Sequence, residues 1–133
     1  MAKLRHVAVA VPDPERSAAF YRDTFDMEIV GRTDSVLATG VYLSDGTICL
    51  ALLNYKTDEA AGEDRGRDYV GVHHIGFWCD DLEEQAGEVE SRGGTFHMDL
   101  PVDRSSLHFE RKYRDPDGVI FDISENGWVG AAR

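Results

Sequence analysis

Leu4-Arg5-His6-Val7-Ala8-Val9-Ala10-Val11-Pro12-Asp13 has a counterpart in Val72-His73-His74-Ile75-Gly76-Phe77-Trp78-Cys79-Asp80-Asp81. Each copy is an alternating apolar strand that runs into an aspartate, and His6 falls on His74. A second pair lies at nearly the same separation: Asp45-Gly46-Thr47-Ile48-Cys49-Leu50 and Asp117-Gly118-Val119-Ile120-Phe121-Asp122, which sets Leu50 against Asp122. The chain therefore reads as two copies of one unit, each of roughly 60 residues, and such self-similarity decides architecture before any local detail. A histidine on the first strand of each copy and a carboxylate near the end of the second suggest a metal site.

Working outward from the two histidine strands, residues 4–11 read as a strand, and Asp13 offers an N-cap with Pro14 at the first helical position. Ala18, Tyr21 and Phe25 then follow at helical spacing. Gly31, the segment 36–43, the Asp45-Gly46 turn and residues 48–53 read as a strand meander, so the first unit is β-α-β-β-β. In the second unit, strand 73–79 leads into an Asp81-x-x-Glu84 capping box and a helix to about Ser91, stopped by Gly93-Gly94. Strands near 95–98 and 109–114, the Asp115-Pro116-Asp117-Gly118 turn and strand 119–124 complete it. Module one is placed at 4–53, a polar linker or mobile flap at 54–70, module two at 72–124 and a tail at 125–133, all within one domain, 1–133.

Composition sets outer limits. With 42% hydrophobic residues in 133, the chain is long enough to bury a core. The 25 acidic and 14 basic residues give a net charge of −11, which repels a phosphate backbone, so no nucleic-acid partner is expected. No apolar run approaches the roughly 18 residues of a membrane span, and a cytoplasmic location without membrane attachment is expected. Cys49 and Cys79 lie in apolar strands without metal-ligand spacing and read as buried free thiols.

Strand alternation assigns faces. Val7, Val9 and Val11 form a side fit to pack under a helix, leaving His6, Ala8 and Ala10 opposite. Ile75, Phe77 and Cys79 likewise leave His74, Gly76 and Trp78, and Val119, Phe121 and Ile123 leave Asp122 with Ile120 and Ser124. The two histidines share their face with alanine and glycine, which leaves room for a ligand. Two neutral imidazoles and a carboxylate suit a divalent first-row metal with open positions for water or substrate.

The pattern His6…Phe20-Tyr21, His74-Ile75-Gly76-Phe77…Asp80-Asp81 and Asp115-Pro116-Asp117-Gly118-x-x-x-Asp122 resembles the vicinal oxygen chelate superfamily. That group spans glyoxalase I, methylmalonyl-CoA epimerase, fosfomycin-resistance enzymes, extradiol dioxygenases and bleomycin-binding proteins. The resemblance implies an α+β fold in which two β-α-β-β-β modules form a cupped, mostly antiparallel sheet around a metal-binding cavity. It also implies His6, His74 and Asp122 as ligands of one divalent ion (Fe, Mn, Ni, Co or Zn), a small-molecule substrate chelating that ion through adjacent oxygens, and a homodimer. Four-ligand relatives carry Glu or Gln on the last strand of the first unit; this chain has Leu50 there, taken as a silent fourth corner. Lyase or isomerase-like chemistry is the leading expectation. A non-haem iron ring-cleaving dioxygenase and a bleomycin-resistance-type binding protein are the alternatives.

His108, Glu110 and Lys112 alternate along the strand before the Asp-Pro-Asp-Gly turn, so Glu110 is the candidate general base, with a solvent-facing ion pair as its plainer reading. Tyr42 is a weaker candidate for a substrate hydrogen bond. His73 points away from His74 as a packing or edge residue, and Trp128 caps the core or a subunit contact.

Overall fold

The computed structural model describes residues 1–133. In chain order it contains β1 (Lys3–Ala10), α1 (Pro14–Phe25), β2 (Glu28–Asp34), β3 (Ala38–Ser44), β4 (Cys49–Tyr55), α2 (Asp58–Ala61), β5 (Gly71–Trp78), α3 (Leu82–Ser91), β6 (Thr95–Asp99), β7 (Arg111–Arg114) and β8 (Ile120–Ser124). The β-α-β-β-β order occurs twice, and the eight strands form one sheet in the order β2-β3-β4-β1-β5-β8-β7-β6. Its centre is the antiparallel pair β1–β5, where the two histidine strands meet. The modules are thus each other's partners within one chain. A second copy is not needed to pair the two modules, and β2 and β6 are left as the edges of the sheet.

Both long helices start as their aspartates dictate. Asp13 accepts from the Arg16 amide at 3.2 Å with Pro14 following, and Asp81 accepts from the Glu84 amide at 2.8 Å. Each helix buries its apolar stripe on the same kind of sheet surface. Ala18 of α1 packs with Val11, Val41, Leu43 and Leu52, and Val9, Tyr21 and Leu50 close around them. Leu82 and Ala86 of α3 pack with Cys79, Phe109, Tyr113 and Ile123. Leu43, Leu52 and Leu82 are fully buried, each contributing about 1.5–3 kcal/mol of burial free energy. Cys49 and Cys79 are buried and unpaired.

Two expectations about irregular segments change. The linker is docked: Thr57 caps the short helix α2, and Ala61 packs with Ala10, Ala38 and Tyr55. The strand expected from Phe109 begins only at Arg111, because residues 103–109 are tied into turns such as Phe109 N–H to the Ser106 carbonyl, 3.0 Å. Glu110 therefore sits just ahead of β7, its carbonyl accepting from the Leu100 amide at 3.0 Å.

Candidate metal centre

Three neighbouring strands at the middle of the sheet each deliver one donor. His6 and Asp122 both pair with Gly76 across the ladder, and His74 lies two residues back along β5, opposite Ala8. Even numbers of residues separate these positions, so all three side chains leave on one face, opposite the helices. His6 Nε2 lies 3.3 Å from His74 Nε2, and Asp122 Oδ2 lies 3.0 Å from His74 Nε2 and 3.8 Å from His6 Nε2. Glu110 joins them, its donor oxygen and the other three donor atoms all lying within 4.8 Å of one another.

These donors fit a divalent ion. Ligand bonds of about 2.1 Å imply donor separations of roughly 3.0–3.4 Å for octahedral or tetrahedral edges, which the observed triangle approximates. Burial drives the His6 pKa down to about 4 and that of His74 well below its ordinary value, so both rings are neutral at pH 7. Their contacts with Asp122 are then not ion pairs, and Asp122 Oδ2 is left as a buried oxygen without a hydrogen-bond partner. A buried carboxylate oxygen facing two ring nitrogens is a cost that a cation relieves.

A chain of contacts sets the tautomer of His74. His74 Nδ1 lies 2.8 Å from His73 Nδ1, and His73 Nε2 lies 2.5 Å from the Ala61 carbonyl. The carbonyl only accepts, so His73 carries its proton on Nε2, takes the His74 Nδ1 proton as acceptor, and leaves His74 Nε2 bare toward the centre. His73 is packed inside rather than at an edge, and its ring turns onto His74 rather than away from it, against the expectation from alternation. The pairing of β1 with β5 shifts between Ala8–His74 and Val9–Val72, which makes His73 the extra residue of a β-bulge and re-aims its ring.

Trp128 is buried, as a residue capping the core would be, and what it covers is the donor group. Its indole stacks on His6, centroids 4.8 Å apart and planes 3° apart, and its Nε1–H donates to Glu110 Oε1 at 2.6 Å. A Cβ built on Gly76 would come within 2.8 Å of that indole, so the space beside Gly76 that was expected to receive ligand receives Trp128. Lys112 completes the group, donating to Asp122 Oδ1 at 2.7 Å and approaching Glu110 Oε2 at 3.4 Å. Its desolvation pulls the pKa down, but Asp122 and then Glu110 outweigh this and hold it above the usual lysine value. Glu110 is thus placed against the donors rather than paired in solvent, although Lys112 is one of its partners. Tyr42 stacks near His108, centroids 6.2 Å apart, and burial pushes its hydroxyl pKa up to about 12.

Leu50 is not the fourth corner. It pairs with Val7 and packs beside α1, on the helix side of the sheet. Asp122 pairs with Gly76, two residues beyond His74; the matching position, paired with the residue two beyond His6, is Ala51, opposite Ala8. The slip arises in the hairpins. Residues 45–48 separate the paired Ser44 and Cys49, whereas residues 115–119 separate Arg114 and Ile120, so aligning the Asp-Gly turns displaces β4 by one residue and reverses its faces.

The Glyoxalase/Bleomycin resistance protein/Dioxygenase superfamily pattern matches residues 3–123, and the chain belongs to that superfamily. No curated protein matches the sequence significantly. Among solved structures, a hypothetical protein from Bacillus halodurans C-125 superposes with a TM-score of 0.73 at 23% identity, covering 92% of both chains. A variant of Streptomyces coelicolor methylmalonyl-CoA epimerase in complex with 2-nitronate-propionyl-CoA gives 0.75 at 23% identity, over 91% of this chain and 94% of that one. Methylmalonyl-CoA epimerase from Mycobacterium tuberculosis gives 0.72 at 18%, over 90% and 85%. These likenesses establish the fold. No helix of the chain is long and apolar enough to cross a membrane.

Proposed function

We propose that the protein is a divalent-metal-dependent enzyme of glyoxalase type, isomerase-like, that moves a proton on a carbon next to a carbonyl in a small substrate presenting adjacent oxygens. The observation that carries this reading is the convergence of two neutral imidazole nitrogens and an unpartnered buried carboxylate oxygen on one point. His6, His74 and Asp122 would hold the ion, which when bound supplies Lewis acidity toward the substrate's oxygens. Glu110 is the residue that takes and returns the proton. Trp128 Nε1–H donates to its Oε1 at 2.6 Å, and Lys112 Nζ lies 3.4 Å from its Oε2, which together orient the carboxylate. Tyr42, on the opposite half of the sheet, is the candidate hydrogen-bond donor to a substrate oxygen, kept protonated by burial. The epimerases among the structural neighbours support proton transfer beside a thioester carbonyl as the reaction type.

The test is solvent exchange. Protein loaded in turn with Mn, Fe, Co, Ni and Zn is incubated in D2O with hemithioacetals and with 2-substituted acyl thioesters, and deuterium entry beside the carbonyl is followed by NMR. Exchange that Glu110→Gln abolishes at unchanged metal content supports the reading; exchange unaffected by that change removes Glu110 as the base. Oxygen uptake with the ferrous protein, without exchange, replaces the reading with an oxygenase.

A further inference from the structure

We infer that Lys112 is a built-in countercation of this centre, an ammonium that balances Asp122 and Glu110 when no metal is bound and competes with the metal for Asp122 when it is. The inference rests on the metal reading of His6, His74 and Asp122. Lys112 belongs to β7 and pairs with Asp122 across the ladder, which places both side chains on the donor face. Its Nζ is 2.7 Å from Asp122 Oδ1, while Asp122 Oδ2 faces the histidines, so the one carboxylate is divided between an ammonium on one oxygen and the donor triangle on the other. The Lys112 and Glu110 side chains are only 13% and 12% exposed, and Asp122 is fully enclosed.

Removing two carboxylates from water without a cation is prohibitive in an interior of low dielectric constant. Lys112 is the cation that touches both carboxylates, so it is what makes the metal-free fold tolerable. The same contact draws charge from the ligand oxygen pair and places a positive neighbour beside an incoming cation, which weakens binding. A residue that merely orients the ligand carboxylate has the opposite effect: loss of such a partner weakens metal affinity by roughly 10- to 100-fold.

The experiment uses the full chain, stripped with chelator, in four forms: unmodified, Lys112→Met, Glu110→Gln and the double variant. Melting temperature without metal and Mn(II) or Zn(II) dissociation constants by calorimetry are the readouts. The metal-free Lys112→Met protein should melt well below the unmodified one, and adding Glu110→Gln should recover much of the loss because one negative charge leaves with the positive one. Lys112→Met should bind the ion roughly tenfold more tightly or better, the scale of one pK unit of charge interaction. If Lys112→Met is unfolded without metal, its refolding on titration with the ion, with the double variant folded throughout, supports the same conclusion. Unchanged or weaker binding in Lys112→Met, or a double variant less stable than Lys112→Met, overturns the inference while leaving the metal site standing. No binding to the unmodified protein overturns the metal reading and the inference together.

Discussion

The two halves of the sheet are alike in fold and unlike in chemistry. In the second module β5, β8 and β7 present His74, Asp122 and Lys112 to the centre, and the residue just ahead of β7 adds Glu110. In the first, β1 presents His6, and the position equivalent to Asp122 is Ala51, with Ala8 beside it. Both helices are capped by aspartate and both bury an apolar stripe, so what the modules share is what folding requires. Charge has gathered on one side. The lesson is that duplicated architecture constrains the places where donors can stand and leaves open which places are filled.

The comparison is broken most directly at its shared element. If His74 holds the ion as proposed, His74→Ala should remove metal binding, with a loss of affinity of about 100-fold or more, while the circular dichroism spectrum stays native. Elemental analysis after gel filtration checks it, and retained metal would remove His74 from the site. His73→Leu is expected to follow, weakening binding by roughly 10- to 100-fold through loss of the acceptor that holds the His74 Nδ1 proton. Calorimetric titration distinguishes it from His74→Ala by a residual, weaker isotherm.

Filling the vacant half sharpens the contrast. Ala51→Glu should tighten metal binding by about tenfold, adding an oxygen donor on the correct face. Leu50→Glu, one residue away, should leave affinity unchanged and cost about 2–3 kcal/mol in urea denaturation, since it drives a carboxylate against α1. Equal effects at the two positions would refute the register. The smallest expected difference concerns the fold alone: Asp13→Ala and Asp81→Ala should each cost about 1 kcal/mol, and similarly, because the two caps make the same bond. Unfolding curves of the two variants measured side by side decide this.

Much of the fold was open to sequence reading because its signals are local. Asp13-Pro14 and Asp81-x-x-Glu84 mark helix starts wherever they stand, and period-2 alternation in β1, β5 and β8 assigns His6, His74 and Asp122 to one face without knowledge of neighbours. The docked linker was less legible: Ala60 and Ala61 are two small residues in a charged run, and only their contact with Ala10, Ala38 and Tyr55 gives them a reason to be helical. Lys112 carried a faint signal, since it alternates with Glu110 two residues before it. Trp128 carried none beyond being a large apolar residue in a short tail.

The sequence by itself determined the repeat, the capped helices and, on each of three strands, which face carries His6, His74 or Asp122, because each follows from chemistry within a few residues of chain. Tertiary structure alone decided that Ala51 and not Leu50 occupies the position equivalent to Asp122, since alternation defines faces within a strand, while the length of a hairpin sets where that strand begins. It also decided that a bulge turns His73 onto His74 and that Trp128 crosses from the tail to cover His6 and hold Glu110. These contacts join residues far apart in the chain, and they exist only once the two central strands have paired.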